Sequence, residues 1–333
     1  MAGSLSTRQV ATTLIFAVAM ALKYVTNGQD INFSQIDINP VLYNPAYCGF
    51  FDGEGRFGAT YRNQWASVSR PFQTLAATAE VPLIPGRGAL SGFSLGVVAN
   101  ADRAGSLNYG SGGAEVIAAY FISLNGHSDN LLSVALQGGV AQVGFDDENI
   151  DLAEGHENFE TTRANLFTMG IGAAWFRQLT DELCLKAGVA AFNLNQPSYS
   201  YLGSDENRLA RRLNTYVRAE WQCWPRVSLM PIAGYQRQGQ YNEAFYGADV
   251  RWYINESPLH YTAFTAGVTL RHADAAVVTA ALERGPFTFA FSYDANFSRL
   301  AKASHSIGSF EVGIVYRLAK AAQRYRALPC PII

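Results

Sequence analysis

Residues 55–65 read Gly55-Arg56-Phe57-Gly58-Ala59-Thr60-Tyr61-Arg62-Asn63-Gln64-Trp65, and taken two at a time they separate into two faces. Phe57, Ala59, Tyr61 and Trp65 fall on one side; Arg56, Thr60, Arg62 and Gln64 fall on the other, and Asn63 is the one polar residue on the apolar side. A period of two belongs to a β-strand, whose successive side chains point to opposite faces of the pleat. Such a strand lies between two different media. In a soluble sandwich these are protein core and water; in an outer-membrane barrel they are lipid and lumen.

The same device recurs about fourteen times. After the first strand come segments in 74–81, 93–99, 114–122, 132–143, 167–175, 183–191, 213–222, 227–235, 246–252, 262–270, 275–282, 287–293 and 310–318. The segment around Val217 is the cleanest: Leu213, Val217, Ala219 and Trp221 alternate with Asn214, Tyr216, Arg218, Glu220 and Gln222. Charged residues make up only 16% of the 333 residues, against about 25% in an ordinary soluble domain. Mean hydropathy is nevertheless zero, as expected if apolar and polar positions interleave. A formal charge of −2 gives no basic field, so nucleic acid is not an expected partner.

Three features select a membrane barrel. The strand count is even, with about 22 residues per strand and connection. Connections alternate in length: 178–181, 225 and 284–286 are tight, whereas 144–163, 195–211 and 294–306 are long. Short periplasmic turns and long outer loops are the asymmetry of such barrels. Tyr120, Trp175, Trp221, Trp252 and Tyr316 all point outward near the ends of descending strands, placing them in one aromatic girdle at the periplasmic interface. The fold expected is an all-β transmembrane antiparallel β-barrel of about 14 strands.

The chain divides accordingly. Residues 1–28 read as a signal peptide, with Arg8 ahead of an apolar run, Val10–Leu22, too short to span a bilayer comfortably; cleavage is expected after Gly28. Residues 29–54 form an N-terminal periplasmic or plug segment, 55–318 the barrel, and 319–333 a periplasmic tail carrying Lys320, Arg324 and Arg326. Cys48, Cys184, Cys223 and Cys330 match no metal spacing. Cys184 and Cys223 fall on opposite strand faces, and all four are expected as free thiols.

Inside the barrel the alternation places Arg62, Glu80, Glu115, Arg218, Glu220, Asp249, Arg251, Glu311 and Arg317. They either pair across strands or form a channel or ligand site; the mixed signs argue against simple ion selectivity. No cofactor or metal is implied. The five histidines are dispersed, no G-x-S-x-G elbow or P-loop occurs, and the acidic stretch 144–160 lacks calcium-loop spacing. An enzyme is not expected.

Before the first strand stand Asp30-Ile31-Asn32-Phe33-Ser34-Gln35 and Ile38-Asn39-Pro40-Val41-Leu42-Tyr43-Asn44-Pro45-Ala46-Tyr47-Cys48-Gly49. With Tyr61-Arg62-Asn63-Gln64-Trp65, residues 96–105, 191–197, 291–294 and 308–312, these resemble the PorP/SprF family of type IX secretion system outer-membrane proteins along essentially the whole mature chain. Cys48 stands where that family usually has a small residue, and 319–333 extends past the point where many members stop. The resemblance implies a non-enzymatic barrel that exports or attaches cargo bearing a particular C-terminal domain, with roles in adhesin display and gliding motility. It also implies association with a periplasmic lipoprotein-containing ring and a peptidoglycan-binding partner. A general or substrate-specific porin is the alternative. The residues themselves make the Pro40/Pro45 motif a rigid, non-helical strip. Asn39, Pro40, Tyr43, Asn44, Pro45 and Gly49 could plug the lumen, dock a partner, or simply lead into the first strand.

Overall fold

The computed structural model describes residues 30–64, 71–83, 91–104, 109–145, 162–199, 207–257, 261–297 and 307–318. The signal-peptide reading, Trp65, most of the acidic stretch, and Lys320, Arg324, Arg326 and Cys330 lie outside these residues.

Among the described residues sixteen strands form. They are β1 Gly55–Gln64, β2 Phe72–Pro82, β3 Ser91–Ala104, β4 Tyr109–Ser123, β5 Asn130–Gly144, β6 Arg163–Gln178, β7 Leu183–Phe192, β8 Ser198–Tyr199 and β9 Asn207–Arg208; then β10 Arg212–Trp224, β11 Val227–Gln238, β12 Tyr241–Asn255, β13 Thr262–Arg271, β14 Ala275–Arg284, β15 Phe287–Asn296 and β16 Ile307–Leu318. β8 and β9 make a two-stranded ribbon within the long connection from β7 to β10. The other fourteen close an antiparallel barrel in which β1 pairs β16, from Gly55↔Leu318 to Gln64↔Ser309. Closure leaves no strand edge, which is what spanning a hydrocarbon layer demands of a sheet.

Several strands are longer than their apolar stripes. β4 starts at Tyr109 and β12 at Tyr241, whereas the alternation is visible only from Ala114 and Tyr246. Glycine and polar residues such as Gly112, Gly113 and Asn242 weaken the pattern at those ends without breaking the ladder.

The outer wall is the apolar one. Val116, Leu136, Val140, Val217 and Phe289 are each about half exposed or more, as lipid-facing side chains must be. Tyr120, Trp221 and Trp252 share that face. Trp175 is half-buried, its indole N–H donating to Asn130 Oδ1 at 2.8 Å, and Tyr316 packs against Phe287 with centroids 5.0 Å apart.

The inner wall is only partly polar. On β3–β6 it presents Val98, Ile117, Ala119, Leu131, Ala135, Ala174 and Phe176, which belong to one buried apolar cluster. The charges concentrate on β10–β16, β1 and β2. The barrel therefore has a hydrophobic core inside its lumen, and something must fill it.

Candidate functional site: the plugged lumen

The filling is the chain's own residues 30–54. Asp30 lies at the rim that carries the long connections: its amide donates to Gln238 Oε1 at 3.0 Å, its carboxylate is 3.6 Å from Arg212 Nε, and Asn193 Nδ2 donates to it at 2.8 Å. At the opposite rim Glu54 N donates to Leu318 O at 2.7 Å and β1 begins. The segment thus runs from the rim of the long connections through the lumen to the rim where β1 begins and β16 ends.

Local chemistry shapes its middle. Pro40–Leu42 and Pro45–Tyr47 are single 3-10 turns, each with proline at the first position and asparagine at the N-cap. Proline's fixed φ suits a helix start, where its missing N–H is not needed. The Asn44 side chain accepts from Ala46 N at 2.9 Å. Asn39 instead reaches the wall, donating to Thr60 Oγ1 at 2.6 Å and accepting from Thr78 Oγ1 at 2.8 Å. The repeated Asn-Pro of the sequence is therefore two turns, one capped by its own asparagine and one anchored to β1 and β2.

The wall is moulded to these turns by inward-facing glycines. A Cβ on Gly58 would collide with Asn39 Oδ1, one on Gly172 with Asn44 Oδ1, and one on Gly96 would stand 2.8 Å from Cys48 Sγ. One on Gly188 would stand 2.6 Å from Asn44 Nδ2, and one on Gly313 2.7 Å from Ile38 Cγ2. With no side chains there, Asn44 Nδ2 reaches the strand carbonyls of Ala173 at 3.0 Å and Val189 at 3.4 Å. The Tyr43 hydroxyl likewise donates to Thr215 O at 3.0 Å.

Around the second turn the contacts are aromatic and apolar. Phe50 stacks on Phe176 with centroids 3.9 Å apart, and Tyr47 meets Phe176 and Tyr216 edge-on at 5.6 and 5.8 Å. Val41 and Ala46 are fully buried. Burial, with Glu80 beside it, pushes the Cys48 thiol well above its ordinary value.

Charged wall residues also hold the segment. Glu80 takes both an Arg56 fork, at 2.8 and 2.9 Å, and the Gly49 amide at 3.1 Å. Glu311 accepts the amides of Ser34 at 2.8 Å and Gln35 at 3.2 Å, and Arg62 donates to Asn32 O. Arg218 bridges Asp37 of the segment, at 2.6 Å, and Asp249 of the wall, at 2.7 Å. Arg251 pairs with Glu220 at 3.1 Å and Glu283 at 3.2 Å, and Arg317 with Glu283 at 3.1 Å. Glu115 accepts from Thr168 at 3.3 Å. All nine lumen charges named from sequence face inward and are engaged.

Sequence reasoning missed Asp37, Asp294 and Arg271, and above all the glycines. Their signal was present: Gly58, Gly96, Gly172, Gly188 and Gly313 all fall on the lumen face of their strands. Two expectations change. Asn39, Pro40, Tyr43, Asn44 and Pro45 are buried and Gly49 half-buried, so the strip offers no free docking surface in this arrangement, because the barrel wall covers it. The cysteines are not all free: Cys184 is disulfide-bonded, while Cys48 and Cys223 are free thiols. Cys184 is buried on the lumen face, the side opposite to the lipid. Among the described residues no group of three or more histidine, cysteine or acidic side chains could hold a metal.

A closed fourteen-stranded barrel with a lipid-facing apolar band defines an outer-membrane β-barrel protein. The model of the type IX secretion system membrane protein PorP/SprF matches residues 25–316, and the chain belongs to that family. No curated protein matches the sequence. Among solved structures it is similar to the Ralstonia pickettii toluene transporter TbuX, at 11% identity and a TM-score of 0.52, covering 87% of this chain and 95% of that one. It is also similar to the P. putida toluene transporter TodX, at 10% identity and a TM-score of 0.51, covering 85% and 94%. At such identities the likeness is one of fold.

Proposed function

We propose that this protein is an outer-membrane barrel component of a type IX secretion system that serves export or surface attachment of cargo proteins and associates with the periplasmic ring. The observation that carries the reading is the family match over residues 25–316. The filled lumen supports it further: a general diffusion porin needs an open bore, and here residues 30–54 occupy it. The partners proposed are the ring lipoprotein and its companion, a peptidoglycan-binding protein, and the C-terminal domains of cargo.

With residues 39–49 enclosed, docking to the ring falls to surfaces outside the barrel, and the tail 319–333 with Lys320, Arg324 and Arg326 is the candidate. Deleting 319–333 while keeping Leu318, which pairs with Gly55, tests this. The truncated barrel is expected to insert normally, to lose the ring components in pull-downs, and to leave cargo in the periplasm. Normal pull-down and normal cargo display by a correctly inserted truncated barrel would refute the docking role.

A further inference from the structure

The segment inside the barrel is held in two different ways. Residues 40–50 sit in the apolar half of the lumen, with Val41, Ala46, Tyr47 and Phe50 packed into the β3–β6 wall. Residues 30–38 lie against the charged half, where polar contacts grip them, while Ile36 touches the apolar cluster and Ile38 packs with Ala290 and Val315. Examples are Asp30 with Arg212 and Gln238, Ser34 and Gln35 with Glu311, and Asp37 with Arg218. Three cavities border this leg in succession. An outer one of about 110 Å³ touches Asp30 and Ile31, beside Arg212 and Glu115. A middle one of about 30 Å³ touches residues 32–34 and Ile36, beside Glu243 and Arg271. An inner one of about 120 Å³ touches residues 34–38, beside Lys186, Arg251 and Arg317 near the periplasmic ends of their strands.

We propose that the charged half of the lumen is a passage for small hydrophilic solutes, closed by residues 30–38 and opened when this leg swings away about Asn39 while residues 40–50 stay seated. Asn39 provides the pivot: its side chain is fixed to both Thr60 and Thr78, and Pro40 begins the seated turn behind it. Departure of the leg exchanges its polar contacts for water, a nearly balanced trade, and exposes Phe33, Ile36 and Ile38, fewer buried apolar side chains than residues 40–50 hold. Most wall ions keep one another: Arg218 with Asp249, Arg271 with Asp294 at 2.6 Å, and Arg251 with Glu283; Arg212 gives up Asp30 and Ile31 O and takes water in their place. Removing residues 40–50 would instead expose the apolar cluster to water, so the two legs differ in what their release costs. Cationic and acidic groups are paired along the exposed wall, so the passage favours neither sign of ion. The proposal is independent of the secretion reading.

A crosslink tests it. The Ser34 and Ser309 hydroxyls both reach Asp294 Oδ2, at 3.4 and 2.8 Å, so cysteines at these two positions can be joined by mild oxidation, which ties the middle of the leg to β16 well ahead of the pivot. The full-length mature barrel and the double variant Ser34→Cys/Ser309→Cys are placed in planar lipid bilayers, folding being checked by heat-dependent gel mobility. The wild type is expected to show transient, weakly selective current steps that the reductant leaves unchanged. The oxidised double variant is expected to show none until reduced. Asp37→Asn, which loosens the grip on Arg218, is expected to open more often than wild type. Silence of both the wild type and Asp37→Asn would overturn the proposal, and so would undiminished current through the oxidised, crosslinked barrel.

Discussion

Asn39 shows how the plug depends on single residues. Its amide satisfies two buried threonine hydroxyls, Thr60 and Thr78, and Asn39→Ala leaves both without that partner. A loss of about 1–3 kcal/mol is expected, since an orphaned buried polar group costs its full desolvation; urea unfolding in detergent reads it. Gly172→Val tests the wall side of the same fit. Its branched side chain would overlap Asn44 and Pro45, and overpacking of this kind costs about 1–3 kcal/mol. Cys48 reports on the packed state chemically. Burial raises its thiol pKa, so the thiolate is scarcer than usual and stays so as pH rises through the ordinary thiol range of about 8–9. In a Cys223→Ser background, iodoacetamide should label Cys48 slowly from pH 7 to 9 in the folded barrel and rapidly after denaturation. Fast, pH-dependent labelling of the native protein would mean the thiol is not enclosed.

At the scale of the strand, the outward face was legible because lipid imposes one demand at every position. Val217 and Val250 lie on that face, and Gln222 points to the lumen, its amide donating to Pro225 O at 3.0 Å. Replacing either valine with arginine should destabilise by about 2–4 kcal/mol near the bilayer midplane, whereas Gln222→Arg should be mild. Equal losses at all three positions would reverse the face assignment. The inward face was less legible, because the lumen makes two demands. β10–β16 meet a polar leg and carry charges that alternation reveals. β3–β6 meet aromatic and apolar residues, so inward positions such as Ile117 and Phe176 carry no polar signal. The glycines were hidden for a related reason: a missing side chain shows its purpose only when the group occupying its space is known. Strand ends blurred wherever glycine replaced an outward apolar residue, as at Gly112.

For the whole molecule, orientation follows from connection length. The turn at Gly285 adopts φ of +56°, a left-handed conformation that glycine takes at little cost, and it closes β14 to β15 on the rim shared with both barrel ends. An epitope inserted there should be hidden from antibody on intact cells, while one near Gly155 in the long connection should be accessible; the reverse would invert the barrel in the membrane. The barrel as a whole was readable from periodicity, and the family from its ordered motifs. The fate of residues 30–54 was not, because burial inside a lumen depends on contacts with strands as far as 277 residues away. That enclosure is the central claim, and one crosslink measures it most directly. In outer membranes carrying Ile38→Cys/Gly313→Cys, mild oxidation followed by mass spectrometry of the digested, heat-modifiable barrel should recover the two cysteine peptides joined. Recovery of both peptides singly alkylated from correctly folded barrel would contradict the account.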